Sequence, residues 1–186
     1  MLYAKGSEAP RNITVAIDQL VAPFSNGIYS AGAHSNRYSI GIATGQRDTR
    51  DATLFKGVVA IQQGHDLDVR IGRVEDSNRV LMISIDGGQN LGSRVRDARI
   101  SVDLGTVISR RGAVDVTVDA GRSPIAGGVR IAGRRQGPAS TGVHLRAGPG
   151  VLLSKIDLSG LTSTGAERPV HLGPGKIDTL TVSGAQ

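Results

Sequence analysis

The sequence predicts an all-β solenoid, a parallel β-helix of about seven rungs, and three observations carry that prediction. Composition is the first: 26 of the 186 residues are Gly, while 3 Tyr and 2 Phe with no Trp are the only aromatics, so the core must be aliphatic. The second is pattern, because helical periodicity is almost absent and short alternating apolar runs bounded by Gly recur from end to end. The third is a shared repeat length near 27 residues.

One series of runs reads ITVAI (13–17), SIGIA (39–43), DVRIG (68–72), RISVD (99–103), GVRIA (128–132), SKIDL (154–158) and TLTVS (179–183). Aligned on their first inward apolar residue they give Ile13, Ile40, Val69, Ile100, Val129, Ile156 and Leu180, spaced by 27, 29, 31, 29, 27 and 24 residues. A second series falls midway between: GIYSA (27–31), GVVAI (57–61), LMISI (81–85), VDVTV (114–118), GVHLR (142–146) and PVHLG (169–173). The period is clearest near the C-terminus, where VHLRAGPGVLLSKIDLSG (143–160) is followed by VHLGPGKIDTLTVSG (170–184).

Self-similarity at this length marks stacked supersecondary units. Each unit holds two or three strands and no helix, which excludes helical solenoids; the Leu/Asn frame of leucine-rich repeats is missing, and a propeller blade needs more strands. An antiparallel sandwich with Gly-rich hairpins is the main competitor, and the shared period disfavours it. In a parallel β-helix each strand pairs with its equivalent one turn on and inward residues stack in columns. Gly, Asn and Ser then supply the corners that need positive φ. At ~4.8 Å per rung, seven rungs make a prism on the order of 30 Å long.

The rung pattern, as in KIDLSG and VDVTVDAG, resembles the right-handed parallel β-helix or pectin-lyase-like superfamily over about residues 11–184. That superfamily includes polysaccharide lyases and hydrolases and the tailspikes of bacterial viruses. The resemblance implies a right-handed coil, a polysaccharide partner and, from the tailspike-like members, a homotrimer. It does not choose among activities.

Composition narrows the remaining classes. Without Cys there is no disulfide framework, thiolate metal site or Cys nucleophile. No apolar run approaches the ~18 residues of a membrane span, and MLYAKGSEAPRN lacks the apolar region of a signal peptide, so an exported chain would leave by another route or by lysis. Of the 22 cations 18 are Arg, for a net charge of +6. Arg presents a planar fork that suits carboxylate, sulfate or phosphate. The partner expected is therefore anionic, whether acidic polysaccharide, lipid headgroup or nucleic acid, unless the Arg excess only reflects the base composition of the genome. Nucleic acid is disfavoured because base-stacking aromatics are scarce.

Outward positions follow from strand alternation. Between the inward residues of the first series lie Thr14, Gly41, Arg70, Ser101, Arg130, Asp157 and Thr181; the column before holds Asn12, Ser39, Asp68, Arg99, Gly128, Lys155 and Thr179, and the one after contains Asp103. One face is thus expected to display a basic stripe of Arg70, Arg99, Arg130 and Lys155 with Asp68, Asp103 and Asp157 embedded. Such a stripe is a binding face for an acidic polymer, a lyase site in which a cation neutralises the carboxylate beside the abstracted proton, or a set of ordinary surface ion pairs.

In the second series His144 and His171 occupy the same position of VHL in adjacent copies, so they are expected to stack on the outer face. Two imidazoles can share a proton or help bind a metal, yet the equivalents Thr117 and Ser84 are poor third ligands, and neither metal nor cofactor is expected. Hydrolase carboxylates would come from Asp86, Asp115, Asp119, Glu75 and Asp76, but Asp115 and Asp119 lie over ~13 Å apart on one strand. Gly64–His65–Asp66 only partly echoes the signature of pectin hydrolases. Arg110–Arg111 and Arg134–Arg135 read as loops, Tyr29 and Tyr38 as the available sugar-stacking residues, and Asn12–Ile13–Thr14 as a sequon without secretory context.

Residues 1–10 are expected to form an arm or partial cap and 11–186 the β-helix. Uncovered sheet ends point to oligomerisation or a larger assembly. The function expected is a structural or binding module of a virion or cell-surface apparatus that contacts polysaccharide. A lyase or hydrolase on an acidic polysaccharide and a scaffold with protein partners only are the alternatives.

Overall fold

The computed structural model describes residues 12–21, 27–31, 35–44, 58–62, 66–77, 80–84, 99–109, 114–121, 125 and 127–182. These form one sheet of twelve strands in which every pairing is parallel. The chain is an all-β parallel solenoid, and no helix among the described residues is long and apolar enough to cross a membrane.

Strands β1 (Thr14–Val21), β3 (Arg37–Thr44), β5 (Leu67–Ser77), β7 (Ile100–Ser109), β9 (Val129–Arg146), β10 (Leu152–Leu158) and β12 (Lys176–Val182) build the first face. Their register links Thr14, Arg37, Asp68, Ser101, Arg130, Asp157 and Thr181 into one unbroken column, so seven rungs are counted directly. The later halves of β1, β3, β5, β7 and β9, with the start of β11 (Leu161–Leu172), form a second face. A third joins β2 (Ile28–Ala31), β4 (Val59–Gln62), β6 (Leu81–Ser84), β8 (Val114–Asp119) and the ends of β9 and β11 in the register Ile28, Val59, Leu81, Val116, Val143, Val170. The two interleaved series of the sequence are thus the first and third faces.

The second face starts where alternation breaks. In β3 and β5 two successive outward residues, Gly41–Ile42 and Gly72–Arg73, mark the bend. A Cβ on Gly41 would lie 2.6 Å from the Asp18 carbonyl oxygen, and one on Gly72 would lie 2.6 Å from that of Gly41. Gly105 completes the ladder with φ +52°, a conformation that disfavours any side chain. Backbones approach too closely at this corner for anything larger than hydrogen. Gly41 is accordingly a corner residue, and the expected place of Gly41 in the outward column belongs to Arg37.

Inside, aliphatic side chains stack in columns such as Leu67, Ile100, Val129, Ile156 and Val69, Val102, Ile131, all essentially excluded from water. Burying each contributes about 1.5–3 kcal/mol. Rung 2 breaks the first of these columns with a polar residue. Asn36 is 1 % exposed; its Oδ1 accepts the Ile13 N–H (2.9 Å), and its Nδ2 donates to the Tyr38 hydroxyl (3.2 Å). Because the amide is satisfied, it substitutes for a hydrocarbon without an orphaned polar group. The inward residues aligned from the sequence, Ile40 and Val69, therefore stand four and two positions beyond the true equivalents, Asn36 and Leu67. Even slips preserve the face, so the predicted outward residues still point out but sit in different columns.

Two other expectations change. Arg134 and Arg135 lie in β9, not a loop, and Arg135 points inward at 1 % exposure. Tyr38 is also a core residue, while Tyr29 is half-buried on the third face, so neither is an open sugar platform. Residues 1–10, Asp86, Gly64–His65, Arg110–Arg111 and the side chains of Asp76 and Asp115 lie outside the described residues.

Candidate functional site

A groove of about 800 Å³ runs along the first face and is lined by Arg37, Arg70, Arg99, Arg130 and Lys155 with Asp66, Asp68 and Asp157. Six of the seven stripe residues expected from the sequence come together here. Asp103 does not line the groove; it stands beside Arg70 in the register, and its Oδ1 accepts the N–H of the corner residue Gly105 at 3.0 Å. It therefore shapes the bend.

Three columns supply the charges. The inner one is Thr14, Arg37, Asp68, Ser101, Arg130, Asp157, Thr181, and Arg70 projects from the next outward position of β5. Alongside runs the corner that leads into the face, where Asn12, Ser35, Asp66 and Gly128 all have positive φ, between +50° and +90°. Asn and Asp tolerate this left-handed conformation and Gly enters it freely, which is why these types recur at the corner. Arg99 and Lys155 sit at the same level on rungs 4 and 6.

Ion pairing inside the groove is loose and solvent-exposed. Arg70 meets Asp68 at 3.1 Å on its own strand, Arg99 meets Asp66 on the preceding rung at 3.4 Å, and Arg130 meets Asp157 on the next rung at 3.9 Å. Contacts of this kind contribute about 0–1 kcal/mol each. Arg37 and Lys155 have no ion-pair partner among the described residues. The hydroxyl and N–H of Ser159 donate to Asp157 Oδ1 at 2.7 and 2.9 Å, and these bonds, helped by Arg130 and Lys155, hold its carboxyl below the usual range. Asp157 is thus an acceptor, fixed and ionised.

Sequence reasoning missed Arg37 and gave no role to Asp66. Recognising Asn36 as an inward residue would have found the first; the left-handed corner shared with Asn12 and Ser35 would have pointed to the second.

On the third face His171 pairs in register with His144, and their rings stack with centroids 4.6 Å apart and 15° between planes. Burial first, then the neighbouring His171 and Arg146, push His144 below its ordinary value, while Asp119 opposes them. Asp119 is held by Arg146 at 2.8 Å and by the Gly121 N–H at 3.0 Å. Glu75, another hydrolase candidate, is held by Arg73 at 2.6 Å on the second face. Among the described residues no group of three His, Asp or Glu is placed to hold a metal.

The chain matches no protein-family model, no curated protein and no solved structure in comparisons with known proteins.

Proposed function

We propose that this chain is a β-helix binding module whose first-face groove holds an acidic polysaccharide, as part of a virion or cell-surface apparatus of the tailspike-like kind. One observation carries the reading: five cations from five consecutive rungs line a single open groove about 800 Å³ in volume. Rungs repeat every ~4.8 Å, so a repeating polymer meets a repeating surface. Arg forks pair well with carboxylate or sulfate. Asp157, held ionised by Ser159 and Arg130, suits accepting hydrogen bonds from a bound sugar better than serving as a general acid, which must hold a proton. The pectin-lyase-like resemblance and a homotrimer belong to the same proposal.

The test is retention on immobilised polygalacturonate, with neutral dextran as the control. Retention on the acidic matrix alone, released by salt and weakened in Arg99→Ala/Arg130→Ala, is expected. Passage through both matrices, or retention unchanged in the double variant, overturns the reading. Accumulation of unsaturated sugar products would replace it with a lyase. Light scattering tests the trimer, and a monodisperse 19.3 kDa species would count against it.

A further inference from the structure

The corner column of the first face has one vacant place. In order along the axis it holds Asn12, Ser35, Asp66, Arg99, Gly128, Lys155 and Thr179, so Gly128 is its one member without a side chain. Arg99 stands one rung before Gly128 and Lys155 one rung after, each ~4.8 Å away by strand spacing, while Arg130 stands two residues along the same strand, roughly 6.6 Å away. Gly128 is buried at the floor of the groove with φ +90°, and a Cβ there would lie 2.9 Å from the Lys155 carbonyl oxygen. Three cations therefore stand around the place in the column that supplies no side chain of its own. We infer that this recess is a subsite for one tetrahedral oxyanion of the phosphate type, carried as a terminal phosphate ester or as the free ion. The subsite needs one charged group and no polymer, so it is independent of the polysaccharide reading.

The donors suit that group. A phosphate ester presents three acceptor oxygens and carries close to two negative charges at neutral pH, whereas a carboxylate has two oxygens in one plane and a single charge. Cations approaching from three sides match the former. Arg99 meets Asp66 and Arg130 meets Asp157 through Nε, at 3.4 and 3.9 Å, and both pairs are exposed. A guanidinium has five N–H donors, enough to hold an internal and an external anion together. The two carboxylates keep back from the recess: Asp66 lies two rungs before Gly128, and Asp157 sits in the neighbouring column with its Oδ1 taken by Ser159. Lys155 has no ion-pair partner among the described residues and brings an uncompensated charge. Ser101, half-buried on the diagonal from Gly128, adds a hydroxyl donor to the rim. Arg37 and Arg70, on rungs 2 and 3, are each about 16 Å from Gly128 by the same spacings and lie outside the recess.

The experiment titrates the intact chain by calorimetry at pH 8 and low salt with glucose 6-phosphate, inorganic phosphate and monomeric galacturonate. One phosphate group per chain is expected to bind, with galacturonate about tenfold weaker or more. Arg99→Gln, Arg130→Gln and Lys155→Gln should each weaken phosphate binding by on the order of tenfold, the loss of one charge-assisted hydrogen bond, while keeping the parent's thermal midpoint. Arg134→Gln, exposed on the second face, should leave it unchanged. Tighter binding of the sugar ester than of inorganic phosphate assigns the subsite to an ester, and the reverse ranking assigns it to the free ion; either supports it. Equal affinity for galacturonate and phosphate, a loss in Arg37→Gln as large as in Arg99→Gln, or no saturable phosphate binding overturns the inference. Retention on polygalacturonate is scored separately, so the subsite and the polysaccharide reading can each fail without the other.

Discussion

His144 and His171 stack face to face across adjacent rungs, 4.6 Å between ring centroids, as a direct product of a VHL repeat held in parallel register. Protonating one ring places a charge in a partly buried site beside its neighbour. A base whose folded pKa lies below its unfolded value of about 6.5 takes up protons preferentially on unfolding. His144 therefore costs nothing in stability above that pH and destabilises progressively as pH falls from there to its lowered value. Thermal unfolding from pH 8 to 5 should show a declining midpoint that flattens in His144→Gln. An unchanged slope in the variant would remove the pair as its source.

Arg135 is a different kind of buried base. Its guanidinium donates to the carbonyls of Thr164 (2.8 Å) and Gly137 (2.6 Å), thereby satisfying backbone acceptors around the turn between the second and third faces. Replacing it with Met keeps much of the volume and removes both donors. Each buried acceptor left unpaired costs about 1–3 kcal/mol, so Arg135→Met should lower the urea midpoint by an amount in that range or above. A midpoint within error of the parent would show that the carbonyls find other donors.

The interior columns make a graded prediction. Ile131 is 0 % exposed and packed between rungs, whereas Ile13 is 37 % exposed. Ile131→Ala should cost about 2–5 kcal/mol, the usual range for a core cavity, and Ile13→Ala clearly less. In a solenoid each rung contacts only its neighbours, so position along the axis governs such costs. Equal losses in chemical denaturation would refute the ranking.

The architecture was legible because hydrophobic columns impose one period on the whole chain, and Val, Ile and Leu at 67, 100, 129 and 156 cannot be mistaken for surface. Register was not legible on rungs 2 and 3: Asn36 is inward yet polar, and only its bonds to Ile13 and Tyr38 reveal why, while Leu67 and Val69 are both inward and alternation alone does not choose between them. The polar Asn36 hid Arg37 from the stripe. Asp103 failed for another reason: strand alternation cannot see that Gly105 bends the chain and draws the carboxylate to its own N–H. The buried Arg135 was unreadable as well, because a charge set between Val107 and Ser163 in an inward column is justified by carbonyls 2 and 29 residues away.

The column Thr14, Arg37, Asp68, Ser101, Arg130, Asp157, Thr181 has sequence steps between 23 and 33 residues, yet its members remain nearest neighbours throughout. Contour length and axial distance are therefore decoupled. Residues can be gained or lost between faces without altering the interval at which the first face repeats, whereas adding or deleting a whole turn changes its reach by one fixed increment. Such a chain can alter its seams continuously but can measure only in whole steps.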